Sequence, residues 1–166
     1  MHYAQMRKFD VANGIGIRTT LFVSGGTHQC PGCFNKDYQT FDYGKVWDRE
    51  AEVTFMSYVQ DENVHGVTIL GGEPMDQIQD ECLYNLLKRI KTDTKQSIWI
   101  YSGYTFEAIL KDPKKLSLLK WCDVLVDGPF IEELKDLNLK FRGSSNQNII
   151  DVQASLAQGE KVLLDF

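Results

Sequence analysis

Apolar and polar positions change period several times along the chain, and each change marks an element. Arg18–Ser24 (Arg-Thr-Thr-Leu-Phe-Val-Ser) is dense in β-branched and aromatic residues and reads as the first strand. Residues 1–17 ahead of it read as an irregular entry that ends in a glycine-rich turn at Asn13–Gly16. Asp48 is placed to cap a helix over about 49–61, with Ala51, Phe55, Tyr58 and Val59 at helical spacing. Val64–Leu70 reads as the second strand, ended by Gly71-Gly72-Glu73-Pro74. Asp76 is a candidate cap for a helix over about 77–92, whose Leu83, Leu86, Leu87 and Ile90 form one apolar face. Ser97–Tyr101 is a third strand, short helical turns fill 105–120, and Asp123–Val126 is a fourth strand ended by Asp127-Gly128-Pro129. Asn148–Val152 reads as the last strand.

Strands that alternate with helices pair in parallel through right-handed crossovers, so the expected class is α/β with a mainly parallel sheet. Four or five such units in 166 residues are too few for a closed eight-stranded barrel. No repeat or linker divides the chain, and one domain over 1–166 is expected. In such sheets ligands gather at the carboxyl ends of the strands, which directs attention to the loops after Ser24, Leu70, Tyr101 and Val126.

Composition narrows the function classes. Hydrophobic content of 43% and charged content of 25% belong to an ordinary globular chain with a core to bury. A net charge of −5 argues against non-specific nucleic-acid binding, which needs clustered cations. No apolar run approaches the roughly 20 residues that span a bilayer. The segment Met1–Lys8 lacks the apolar stretch of a signal peptide, so the expected setting is the cytoplasm, with thiols reduced and no membrane partner.

Of four cysteines, Cys82 and Cys122 fall in apolar patterns and read as small packing residues. Cys30 and Cys33 are different. They sit on a Pro31-Gly32 turn just after the first strand, in the spacing C-x-x-C, which reads as zinc, iron–sulfur or redox chemistry. With His28 they make at most three nearby ligands, whereas structural zinc takes four. A thioredoxin-type pair normally opens a helix, and Phe34-Asn35-Lys36-Asp37 carries no strong helix signal. Gly71-Gly72-Glu73-Pro74 is by itself a strand-to-helix turn, where Gly and Pro are common.

Taken together, Asn13-Gly14-Ile15-Gly16, Arg18, Thr20–Val23, Ser24-Gly25, Cys30-Pro31-Gly32-Cys33-Phe34-Asn35, Gly71-Gly72-Glu73-Pro74, Tyr101–Tyr104 and Arg142–Gln147 carry a likeness. The chain resembles the radical S-adenosylmethionine activase family, and within it the activating proteins of anaerobic (class III) ribonucleoside-triphosphate reductase. The resemblance implies a reduced, open radical-SAM partial (βα) barrel and two cofactors, a 4Fe-4S cluster and S-adenosyl-L-methionine. It implies that Cys30 and Cys33 are cluster ligands and that Gly32, Cys33, Phe34, Gly71, Gly72 and Glu73 contact the nucleoside cofactor. It also implies reductive cleavage of that cofactor to a 5′-deoxyadenosyl radical, which makes a glycyl radical on the large reductase, with a flavodoxin-like electron donor. One position departs: the family pattern C-x-x-x-C-x-x-C places its first cysteine at residue 26, which is Gly26 here. Glycine offers no replacement ligand, and loss of a thiolate weakens cluster binding. The expectation is that Gly26→Cys restores the cluster. An impaired enzyme, a non-catalytic reductase-binding homologue and a small zinc-binding protein are the three readings that this departure leaves open.

Overall fold

A computed structural model describes residues 1–27 and 36–166. The strands are β1 (His2–Asp10), β2 (Arg18–Ser24), β3 (Lys45–Val46), β4 (Gly66–Gly71), β5 (Ser97–Tyr101), β6 (Val124–Asp127) and β7 (Asn148–Asp151). The helices are α1 (Arg49–Val59), α2 (Cys82–Asp93), α3 (Phe106–Leu110), α4 (Pro113–Leu119) and α5 (Val152–Gln158). The strands form one open sheet in the order β3-β1-β2-β4-β5-β6-β7. The inner strands β2, β4, β5 and β6 run parallel, as expected for α/β, and the sheet does not close.

The borders differ from the expectation. Residues 2–10 are not irregular: they form β1, antiparallel to β2, with register shifts between Tyr3 and Gln5 and between Arg7 and Asp10. Arg7 and Lys8 of this strand stay exposed, and its register shifts blur the two-residue alternation that marks a strand. The last strand, β7, pairs with β6 antiparallel. No helix lies between them, only a loop with a 3-10 turn at Glu132–Leu134, so the chain returns on itself instead of crossing over.

The five helices among the described residues lie on one face of the sheet. Leu21, Val23, Val67, Ile69, Ile98, Ile100 and Leu125 from the strands meet Phe55, Leu83, Leu86, Ile109, Leu119 and Val152 from the helices in one core. The other face carries a smaller core of Trp99, Val124, Val126 and Ile149, closed by Tyr101, Phe141 and Leu164. Burial on both faces explains why β2 and β5 read as unbroken β-favouring runs. α1 begins where its cap predicts, with the Asp48 carboxylate accepting from Ala51 N at 2.8 Å. The second helix begins at Cys82, later than expected, because Pro74–Asp76 forms a 3-10 turn and the Asp76 carboxylate is engaged elsewhere.

Arg18 pins the amino ends of the parallel strands. Its guanidinium donates to Thr68 Oγ1 at 2.9 Å, Ile15 O at 3.0 Å, and Val67 O and Ser97 O, each at 2.9 Å. Burial draws its pKa down to about 10, which still leaves it charged at neutral pH. A Cβ on Gly66 would lie 2.5 Å from both terminal guanidinium nitrogens. Gly66→Ala should therefore destabilise by about 2 kcal/mol, read from denaturant unfolding. A change within about 0.5 kcal/mol, the scale of an ordinary surface substitution, would show that Arg18 yields freely.

Candidate functional site

The carboxyl ends of β2, β4, β5 and β6 bring four turns together. After β2, Gly25 N donates to Tyr38 O at 2.7 Å and Gly26 N to Gln39 O at 3.1 Å. The loop that leaves at Thr27 is thus tied to the segment that returns at Tyr38–Gln39. After β4, Gly71 takes φ +123°, a conformation open to glycine, and Gly72 N donates to Val23 O at 2.9 Å. Glu73 N then donates to Gly25 O at 2.8 Å. Gly71 and Gly72 are glycines because backbone presses on them: a Cβ on Gly72 would meet Tyr38 O at 2.2 Å and Gly25 O at 2.7 Å. The buried Gln77 amide binds the junction from behind, donating to Ser24 O and Gly25 O, each at 3.0 Å, and to Glu73 O at 3.2 Å.

The Glu73 side chain turns inward. Its carboxylate accepts from Met75 N at 2.9 Å, Ser102 Oγ at 2.8 Å and Gly103 N at 2.6 Å, and the residue is 2% exposed. It joins the end of β4 to the end of β5. Gly71 and Gly72 add no side chain to this turn.

Asp76, read from sequence as a helix cap, holds Thr27 and Tyr104 instead. Its carboxylate accepts from Thr27 N at 2.9 Å and Thr27 Oγ1 at 3.1 Å, and from the Tyr104 hydroxyl at 2.6 Å. Burial first, and then the Asp76 hydrogen bond, raise the Tyr104 phenol above its ordinary pKa, so it stays protonated as the donor. Asp127 is used by the scaffold: its carboxylate accepts from Phe106 N at 2.8 Å and Asn148 N at 3.2 Å, and it is 1% exposed. Arg142–Gln147 folds onto the turn after β6, with Asn146 Nδ2 donating to Pro129 O at 2.7 Å and Gln147 Nε2 to Gly128 O at 3.0 Å.

The structure brings Gly26, Gly71, Gly72 and Glu73 to one junction. Cys30, Gly32, Cys33 and Phe34, together with His28, lie outside the described residues. Sequence reasoning gave Gln39 and Gln77 no role, read Asp76 as a helix cap, and picked out Ser102 and Tyr104 only within the likeness over Tyr101–Tyr104; their actual roles come from contacts far apart along the chain.

The described residues do not complete a three-thiolate set. Gly26 supplies no sulfur, and a Cβ there would lie 2.8 Å from Gln39 Oε1 and 2.9 Å from Glu73 Cβ. Cys122 is fully buried in the main core between α4 and β6, where burial pushes its thiol pKa up. Cys82 is half-buried at the start of α2, and burial followed by Asp80 raises its pKa as well. Among the described residues no group of three or more His, Cys, Asp or Glu is placed to hold a metal, and no helix is long and apolar enough to cross a membrane.

A family model described as a 4Fe-4S single cluster domain matches residues 12–150. The anaerobic ribonucleoside-triphosphate reductase-activating protein of Vibrio cholerae is 39% identical to this chain, across 90% of this chain and 97% of its own length. The protein of that name from Haemophilus influenzae is 38% identical, across 90% and 97%. The one from Enterobacteria phage T4 is 33% identical, across 90% and 93%.

Proposed function

The chain belongs to the family of anaerobic ribonucleoside-triphosphate reductase-activating proteins, and on that premise we propose that it activates such a reductase by installing a glycyl radical on it. The cofactors of this activity are an iron–sulfur cluster and S-adenosylmethionine, whose reductive cleavage supplies the radical. The observation that carries the reading is the junction of Gly25–Gly26 with Gly71–Glu73 at the carboxyl edge of the parallel strands. It ties the root of the cysteine loop to a glycine turn whose close backbone packing leaves main chain, not side chain, to meet a ligand.

In this reading Cys30 and Cys33 would hold iron, and Gly32, Cys33 and Phe34 would border the nucleoside. The backbone of Gly71, Gly72 and Glu73 receives the ammonium of S-adenosylmethionine, and the Glu73 carboxylate keeps that turn rigid from inside. Asp76 and Tyr104 orient the start of the loop through Thr27. The open sheet suits a reduced radical-SAM partial barrel in a single domain over 1–166, facing the large reductase and drawing electrons from a flavodoxin-like donor in the cytoplasm. The acidic balance, net −5, suits a protein partner and gives no support to a nucleic acid.

An open sheet excludes water poorly, so the reductase completes the site. After anaerobic reconstitution, 5′-deoxyadenosine formation should rise at least about tenfold when the reductase is added, a barrier change of about 1.4 kcal/mol. A glycyl-radical signal should appear on the reductase. Equal rates with and without it remove the water-exclusion account. Gly26 favours a second reading, a homologue that docks on the reductase without radical chemistry. Reductase binding with no iron uptake and no cleavage is its signature, and zinc in place of iron marks a small zinc-binding protein.

A further inference from the structure

We infer that Gln39 and Gly26 act as one coupled position, in which the Gln39 carboxamide occupies the space that a side chain at residue 26 needs. The third thiolate position is therefore walled over, and Gly26→Cys alone does not reopen it. The cluster part of this inference rests on the function proposed above; the steric part does not.

Backbone conformation is not what excludes a side chain at 26, because Gly26 is absent from the residues with positive φ. Space is. An ideal Cβ there would lie 2.8 Å from Gln39 Oε1, 2.9 Å from Glu73 Cβ and 3.2 Å from Glu73 N. The Glu73 side cannot retreat. Its N–H is held by Gly25 O, its carbonyl by Gln77, and its carboxylate by Met75 N, Ser102 Oγ and Gly103 N.

Gln39 is the partner able to yield. Its carbonyl holds Gly26 N–H at 3.1 Å, while its side chain brings Oε1 to the place of the missing Cβ. That oxygen is buried and makes no hydrogen bond among the described residues. An unpaired buried amide oxygen is unfavourable, and among the described residues no polar partner accounts for its placement. Filling the gap beside a glycine does account for it, since a void forfeits the contacts of everything that lines it. Shortening residue 39 is then the change that makes room for a thiol at 26.

The test compares the parent protein with Gly26→Cys, Gln39→Ala and the double variant, with Gln39→Ser as a second shortened form. Two readouts are taken: the thermal midpoint of the metal-free protein, and iron and sulfide per chain after anaerobic reconstitution. Gly26→Cys alone should lower the metal-free midpoint by about 3–6 °C, and either shortened residue 39 should recover a measurable part of that loss, the remainder being set by the 2.9 Å approach to Glu73 Cβ. Iron in the double variant should exceed that of Gly26→Cys at least about threefold, toward about four per chain. Recovery of the midpoint without any iron uptake upholds the Gln39–Gly26 coupling and removes the cluster reading of the loop. A Gly26→Cys protein that melts like the parent and takes up a full complement of iron overturns the inference.

Discussion

Gly72→Ala should lower the free energy of unfolding by about 3 kcal/mol, the upper end of the range for overpacking a filled interior. The added methyl would meet Tyr38 O at 2.2 Å, Gly25 O at 2.7 Å and Gly25 N at 2.8 Å. All three are backbone atoms, so no flexible side-chain end can swing away. They are also fixed from behind: Gly25 N donates to Tyr38 O at 2.7 Å and Glu73 N to Gly25 O at 2.8 Å. Relief requires the turn after β4 to part from the root of the cysteine loop. Denaturant unfolding should show a lower midpoint at unchanged slope. S-adenosylmethionine affinity should fall at least about tenfold in protein that remains folded, because the main chain proposed to meet the ligand has moved. A midpoint shift worth less than about 0.5 kcal/mol would mean that this junction adapts freely.

Glu73→Gln should cost about 2–3 kcal/mol. The native carboxylate accepts from two backbone N–H groups, Met75 at 2.9 Å and Gly103 at 2.6 Å, and from the Ser102 hydroxyl at 2.8 Å, in a site that is 2% exposed. A carboxamide has one accepting oxygen in place of two. Its NH2 group must face a donor or leave a buried N–H unpaired, and the charge-assisted character of the remaining bonds is lost. Ser102→Ala, which removes one donor to Glu73 and the acceptor of the Tyr104 N–H, should cost about 1–2 kcal/mol. Because the carboxylate points into the protein, the loss of cofactor binding in Glu73→Gln should follow its loss of stability and be relieved by conditions that restore the fold. A variant as stable as the parent yet unable to bind S-adenosylmethionine would place the carboxylate on the ligand instead.

Several parts of this molecule were readable one element at a time. Arg18–Ser24 and Ser97–Tyr101 emerge as strands with the bounds expected of them, because burial on both faces demands apolar and β-branched residues in succession. Asp48 announces α1 because a cap and the N–H it serves lie three residues apart. The strip Leu83, Leu86, Leu87 and Ile90 names the buried face of α2 for a similarly local reason. Asp76 carried an equally clear local signal and it misled. Thr27, 49 residues away, and Tyr104, 28 residues away, take its carboxylate, and the helix starts six positions later, at Cys82.

By itself the sequence determined the elements of the inner sheet, the acidic balance, the pair Cys30 and Cys33, and the glycine where a third cysteine was expected. These are properties of residue types at short spacing, and short spacing is all that periodicity, capping and ligand motifs require. Only the tertiary structure decided the antiparallel borders, the inward turn of Glu73, the grip of Asp76 on Thr27 and the contact of Gln39 with Gly26. Each of those depends on which strand ends become neighbours. That follows from strand order across the whole chain, and no local run of residues encodes it.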